Sequence, residues 1–328
     1  MRPRPQRDAG GMVKLISQNS VMVALMILII FGSLRYDHFL GAFNILTVLR
    51  YNSMFALISL GMCFVIMSGG IDLSVGAVAA LGSVVSALLS PYGLWVGFIG
   101  GTAAGGVIGL VSALTITRLR IAPFIATLAT MLAARGIALL LANNQSVAVS
   151  YDTDFTQVGQ GDFLGFPIPA WITLFLFGLG SIALNLTSWG RYSLAIGGNA
   201  DASRLMGLPV DGITFSLYLL SGLLSGLAGV LLAAQFGAGQ PTEGVGWELF
   251  AIASVVVGGT LLTGGQGSVI TTLAGVLLMG LIFNILNFEN GLGWISLSAY
   301  WQSVVRGVFL MLVVMFQSKL VFARSPAR

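Results

Sequence analysis

The sequence predicts an all-α fold: a polytopic membrane helix bundle of about ten apolar segments, making eight to ten spans with broken helices among them. Composition is the first reason. The chain of 328 residues is 56% hydrophobic and 8% charged, and roughly 20 mostly apolar residues suffice to cross the hydrocarbon core once. The second is a Gly-rich break carrying an acid, Ser68-Gly69-Gly70-Ile71-Asp72-Leu73-Ser74-Val75-Gly76, set between two apolar stretches. An unpaired backbone N–H or C=O in hydrocarbon costs several kcal/mol, so irregular backbone at membrane depth belongs inside protein or beside a polar cavity. The third is the placement of the basic residues, which gather at the ends of apolar segments.

In order, the segments are residues 18–34, 50–68, 76–90, 93–117, 121–142, 169–188, 212–236, 248–263, 267–288 and 299–318. The first follows a basic tail, 1–17, with Arg2, Arg4, Arg7 and Lys14. No small-x-small cleavage pattern follows its apolar run, so it is expected as a retained helix and not a signal peptide. The third and eighth are shorter than a usual span and are expected as broken or re-entrant elements. The fourth carries a ridge of small residues, Gly101, Gly105 and Gly109, and the seventh carries Ser221, Ser225 and Gly229 beside Gly222 and Gly226. Ridges of this kind let helices approach closely. The spans form one domain, 18–318, and residues 319–328 form a second tail.

Orientation follows from charge. Arg118, Arg120, Arg191, Arg204, Lys319, Arg324 and Arg328 fall on the side of the N-terminus, whereas Asp152, Asp154, Asp162, Glu243 and Glu289 fall opposite. The positive-inside rule then puts both termini in the cytoplasm. All six tryptophans lie near segment ends, as interfacial anchors do. The formal charge of +4 is scattered and forms no stripe, so no nucleic-acid partner is expected. One cysteine, Cys63, and one histidine, His38, leave no metal cluster and no intrachain disulfide. No cofactor is expected.

Phe55–Val84 and Phe250–Leu278 look alike: each has an apolar helix, a Gly-Gly break (Ser68-Gly69-Gly70; Thr263-Gly264-Gly265) and a second helix opening at Ser-Val. Running in the same direction, they read as a parallel repeat, although Gly-rich apolar sequence also produces such matches by chance.

The segment 189–211 between the sixth and seventh spans reads as a short helix. Asn199 suits the N-cap, Asp201 the first turn, Arg204 the last turn, and Gly207 the left-handed C′ position, and Pro209 stops it. Helices under about 12 residues do not hold alone in water, so it must pack on something. Ala202, Leu205 and Met206 share one face, open either to a partner's groove or to its own bundle and the lipid surface.

Four stretches in order resemble the permease subunits of bacterial ABC-type sugar importers of the ribose/galactofuranose class. They are Ser68–Gly76; Ile121–Leu128 with Arg135-Gly136; Ala195-Ile196-Gly197-Gly198-Asn199 through Met206-Gly207; and Val255–Thr260 with Gly264-Gly265. The likeness is strongest to a galactofuranose importer permease, which implies an unlike partner permease. The resemblance implies a chain in the bacterial inner membrane, an ATPase with two nucleotide-binding domains, and a periplasmic sugar-binding protein. It implies that Gly198, Asn199, Ala202, Arg204, Leu205, Met206 and Gly207 couple to that ATPase. The chain itself has no Gly-x-x-x-x-Gly-Lys-Ser/Thr loop, so ATP hydrolysis is expected on another chain.

Candidate pathway residues follow. Asp72 and Ser74 either line a polar constriction or cap the third helix, the preferred role for Asp there. Arg135 and Arg306 sit inside spans, where a charge costs at least about 2.5–3.5 kcal/mol at the bilayer centre. Arg135 is expected to pin backbone carbonyls at a break, with a salt bridge to Asp72 or Glu248 as an alternative. Trp247, Glu248, Asn284 and Asn287 offer the aromatic face and hydrogen-bonding groups of a sugar vestibule, or else ordinary capping and interhelical bonds. The competing function is an ion-coupled secondary sugar transporter. The scarcity of intramembrane carboxylates beyond Asp72 and Glu248 argues against it.

Overall fold

A computed structural model describes residues 20–291 and five further helical positions, 301, 304, 307, 308 and 311. In chain order the helices are α1 (Ser20–Arg35), α2 (Ala42–Met67), α3 (Val75–Leu89), α4 (Leu94–Thr117), α5 (Pro123–Leu141), α6 (Gln157–Gln160), α7 (Ile168–Leu186), α8 (Ser188–Gly198), α9 (Ala200–Leu205), α10 (Val210–Phe236), α11 (Trp247–Val257) and α12 (Val269–Gly291). Among the described residues seven helices are long and apolar enough to cross a membrane: α2, α3 with its short 3-10 extension to Tyr92, α4, α5, α7, α10 and α12. Two apolar helices, Val21–Arg35 and Trp247–Val257, are shorter. The chain is an all-α, multi-pass membrane protein. Both expected tails, Arg306, Trp294 and most of the expected tenth segment lie outside the described residues.

α2 begins eight residues earlier than its apolar run, where Asn44, Arg50 and Asn52 find partners. Asn44 exchanges amide hydrogen bonds with Asn284 (3.2 and 2.8 Å). Arg50 pairs with Asp162 at 2.6 Å, and the Asn52 amide donates to the Val48 carbonyl at 2.8 Å. Pro123 and Pro169 sit in the first turns of α5 and α7, where a missing N–H does no harm.

α10 is the central helix. Its Gly222 and Gly226 face the α4 ridge: a Cβ on Gly109 would stand 2.7 Å from the Tyr218 carbonyl oxygen, and one on Gly226 would stand 2.8 Å from that of Gly101. On another side, a Cβ on Gly61 of α2 would meet Ser221 Cα at 2.9 Å. Both small-residue ridges are thus interfaces at backbone contact distance, which dispersion forces reward and any side chain would abolish.

The segment 143–167 covers the end of the bundle opposite α8 and α9. It pairs strand β1 (Val147–Ala148) with β4 (Ala238–Gly239) in antiparallel register Val147↔Gly239, and folds a hairpin, β2 (Asp162–Phe163) with β3 (Phe166–Pro167). The two linking residues, Leu164 and Gly165, are both left-handed, as a tight hairpin of this twist requires. Phe155 of this cover is fully buried. The loops bearing Arg118, Arg120, Arg191 and Arg204 lie at one end and Asp152, Asp154, Asp162 and Glu289 at the other. Arg35 and Arg50 also stand at the acidic end, where each pairs with an acid (Glu289, 3.5 Å; Asp162, 2.6 Å).

Two expectations are corrected here. The eighth apolar segment stays helical only to Val257, six residues short of Thr263-Gly264-Gly265, so the repeat has a different register. At the end of α2, Gly69 N–H donates to Ile66 O and Gly70 N–H to Val65 O; at the end of α11, Gly259 N–H donates to Val256 O and Thr260 N–H to Val255 O. Both are Schellman caps closed by a left-handed glycine, Gly69 (φ 84°) and Gly259 (φ 90°). Ser68-Gly69-Gly70 therefore corresponds to Gly258-Gly259-Thr260. The second correction concerns tryptophan: Trp95 and Trp171 are exposed, as anchors should be, but Trp247 is 7% exposed and packs on Phe55.

Candidate functional site

The break after α2 turns back into the bundle. Asp72 accepts hydrogen bonds from Ser74 N–H (2.9 Å) and Ser74 Oγ (2.6 Å) on one oxygen and from Ser221 Oγ (2.7 Å) on the other. Ser221 lies eleven residues into α10, about 16 Å along it at 1.5 Å per residue, so α3 starts deep within the bundle. The cap position of α3 is occupied by Ser74 and not by Asp72, whose carboxylate braces the turn two residues ahead. Asp72 and Ser74 are 1% and 2% exposed, so in this conformation neither faces an open channel.

α11 starts beside α3. Gly76, in the first turn of α3, touches Gly244, just before α11; a Cβ on Gly76 would overlap the Gly244 carbonyl and lie 3.0 Å from Glu248 Oε2. From this contact the two helices run apart, α3 toward the 143–167 cover and α11 toward Met67, where Thr260 approaches Cys63 (3.9 Å). Two discontinuous helices with their N-termini together inside the bundle form the arrangement by which membrane transporters present backbone donors to a solute.

Arg135 of α5 holds the run of turns before α11. Its guanidinium donates to the carbonyls of Pro241 (2.6 Å) and Glu243. It makes no salt bridge among the described residues. The geometry is that of a carbonyl pin at a break. Trp247 and Glu248 open α11 at the same place, the indole 4.7 Å from the Phe55 ring and Phe55 4.4 Å from Phe250.

Asn284 is not part of this group. It pairs with Asn44 near the acidic end, where a cavity of about 630 Å³ is lined by Arg35, Tyr36, Asp37, Asn44, Asn284 and Asn287. Four residues of the break were not identified from sequence as site residues: Ser221, Tyr218, Gly244 and Gly197. Tyr218 is 1% exposed, and its hydroxyl abuts Gly70. Two of them left a trace in the sequence, Ser221 as a member of the Ser/Gly ridge and Gly197 within the stretch Ala195–Asn199.

The α8–α9 loop has the caps its residues imply. Asn199 Oδ1 accepts from Ala202 N–H at 2.9 Å. At the other end Gly207 (φ 79°) donates to Arg204 O, and Leu208 N–H to Ser203 O. Arg204 bridges to Asp211 at 2.9 Å. Leu205 is 90% and Met206 69% exposed, so the apolar tip rests on nothing among the described residues, while Ala202 is half-buried. α8 by contrast is wedged in: Trp189 packs on Phe64 (5.0 Å) and donates to Ser216 Oγ at 2.7 Å.

A family described as a branched-chain amino acid transport system permease component matches residues 44–314. The chain belongs to this permease family. It is 40% identical to the ribose import permease protein of Bacillus subtilis (strain 168) over 300 residues, 90% of this chain and 91% of the relative. It is 38% identical to the ribose import permease protein of Escherichia coli (strain K12), with 93% and 94% covered. It is 35% identical to the L-arabinose ABC transporter permease protein of Azospirillum brasilense, with 95% and 91% covered. No solved structure matches the chain. This permease-family membership agrees with the resemblance carried by the four sequence stretches.

Proposed function

We propose that this chain is the membrane-spanning permease of an ATP-binding-cassette importer for a monosaccharide, a pentose or a hexose such as ribose, arabinose or galactofuranose, in the bacterial inner membrane. The observation that carries this reading is the capped α9 tip. An aliphatic pair stands in solvent on a loop-borne helix (Leu205 90%, Met206 69% exposed), in a chain with no phosphate loop of its own. An apolar pair so placed is the anchor an amphipathic helix offers to a partner's groove. The partner is an ATPase with two nucleotide-binding domains, which hydrolyses ATP while the permease alternates access.

The same reading places both termini and the α8–α9 end in the cytoplasm, a periplasmic sugar-binding protein at the 143–167 end, and a second permease, more fittingly unlike than identical, alongside. Arg135, Trp247 and Glu248, with Asp72 and Ser74 behind them, are the proposed pathway wall. Asn284 belongs to its outer approach, where its cavity combines aromatic and amide groups.

The test is uptake of labelled ribose, arabinose and galactofuranose into vesicles holding the permeases and ATPase, with the binding protein added outside. Uptake should need ATP inside the ATPase-bearing face and survive an uncoupler. Uptake that collapses with the uncoupler at constant ATP would establish the ion-coupled transporter instead.

A further inference from the structure

We infer that Gly197, near the end of α8, is the positioning residue through which one movement of the loop shifts both broken elements together; this rests on the docking role proposed for α9. Three glycine-bearing segments far apart in sequence meet at this point. A Cβ on Gly264 would lie 2.8 Å from the Gly69 nitrogen and 3.0 Å from Gly197 Cα, and one on Gly265 would lie 3.0 Å from Gly198 Cα. Gly265 N–H donates to the Met67 carbonyl at 2.9 Å, tying the end of α2 to the segment ahead of α12. Gly197 lies against that bond: a Cβ there would overlap the Met67 carbonyl oxygen and stand 2.5 Å from the Gly265 nitrogen.

Contacts of backbone on backbone have no side-chain rotamers to absorb a displacement, and close-packed interiors transmit strain. α8 and α9 are joined at Asn199 alone, whose N–H closes α8 on Ala195 O (3.1 Å) while its side chain caps α9 (2.9 Å). A displacement of α9 is therefore passed to α8 through the two bonds of this residue. A push on Leu205 and Met206 reaches Met67–Gly69 and Gly264–Gly265 at once, or it breaks the bond between them. The first of these leads through Asp72, tied to Ser221, into α3; the second leads into α12. Neither broken element can follow the ATPase independently of the other.

The experiment is hydrogen exchange read by mass spectrometry on the intact complex of permease, ATPase and sugar-loaded binding protein, with and without a non-hydrolysable ATP analogue. Peptides covering 66–71 and 262–267 should change their exchange rates by about threefold or more, together with those covering 199–208. A change at 199–208 with either break unmoved overturns the inference and leaves docking intact. No ATPase capture and no change at 199–208 sinks the docking reading, and this inference with it. A second measurement uses Gly197→Ala, which should capture the ATPase as wild type does, yet lose about tenfold of the stimulation of hydrolysis by loaded binding protein. Gly212→Ala is the control, since its Cβ would meet only the Pro209 side chain at 4.0 Å. Wild-type stimulation in Gly197→Ala overturns the inference; if that variant fails to accumulate, exchange in the wild-type complex decides.

Discussion

Replacing Leu205 separates folding from docking, because the side chain is 90% exposed in the permease alone. Substitution there should change the permease's own stability by no more than about 0.5 kcal/mol, as for surface positions generally. If the ATPase covers the tip, Leu205→Ala removes three buried carbons at about 0.8 kcal/mol each, roughly 2 kcal/mol, or about 30-fold in Kd. Leu205→Asp adds a carboxylate with no partner in the covered state, so its loss should exceed about 100-fold. Asn199→Ala should cost less than either, roughly fivefold, since it removes only the cap that orders the helix, worth about 1 kcal/mol. The assay is bio-layer interferometry of purified permease against the ATPase, with thermal melting of each variant alongside. Unchanged Kd in Leu205→Asp, with unchanged melting, would refute docking at this tip and leave α9 as a surface helix.

Four further outcomes are expected. A reporter fused after Arg120 or Arg204 should be cytoplasmic and one inserted near Asp154 periplasmic; the opposite labelling at Asp154 would invert the assigned topology. Arg135→Leu should lower the melting temperature and the yield of assembled complex, because it deletes the donors to Pro241 and Glu243, while sugar preference in competition assays stays the same; an altered preference with normal assembly would make Arg135 a recognition residue. Ser221→Ala removes the donor to the second Asp72 oxygen and should cost about 1.5–3 kcal/mol, read as loss of thermal stability in detergent. Gly69→Ala and Gly259→Ala should each cost about 1–2 kcal/mol, since both replace left-handed glycines in matching caps; an undisturbed Gly259→Ala would deny the equivalence of the two breaks.

Much of this was legible in the sequence because it depended on local chemistry. Asn199, Arg204 and Gly207 fall where a six-residue helix needs a cap, a last-turn cation and a left-handed residue, and each is decided by neighbours within a few positions. The small-residue ridges were legible for the same reason, since spacing of four along a helix puts glycines on one face. What escaped depended on the rest of the chain. Asp72 reads as a helix cap by propensity, but Ser221, 149 residues away, holds its second oxygen and makes the turn a brace between elements. Trp247 reads as an anchor by position, yet it is buried against the ring of Phe55, which in turn lies against Phe250.

The repeat shows the limit most clearly. Matching letters aligned Gly69-Gly70 with Gly264-Gly265, whereas matching hydrogen bonds aligns Gly69 with Gly259. A Schellman cap needs one left-handed residue and two specific N–H to C=O bonds, and it makes no demand on the residue after it. Gly70 and Thr260 therefore occupy the same place with different side chains, which letter matching rejects. Gly264 and Gly265 are glycines for a different reason: both are left-handed, and both lie against Gly197 or Gly198 where no Cβ fits. Two glycine pairs thus arose from two constraints, one on the end of a helix and one on contact between three strands of backbone. Only the second joins the breaks to the loop, so substitutions at Gly259 should act on stability and those at Gly264 on coupling as well.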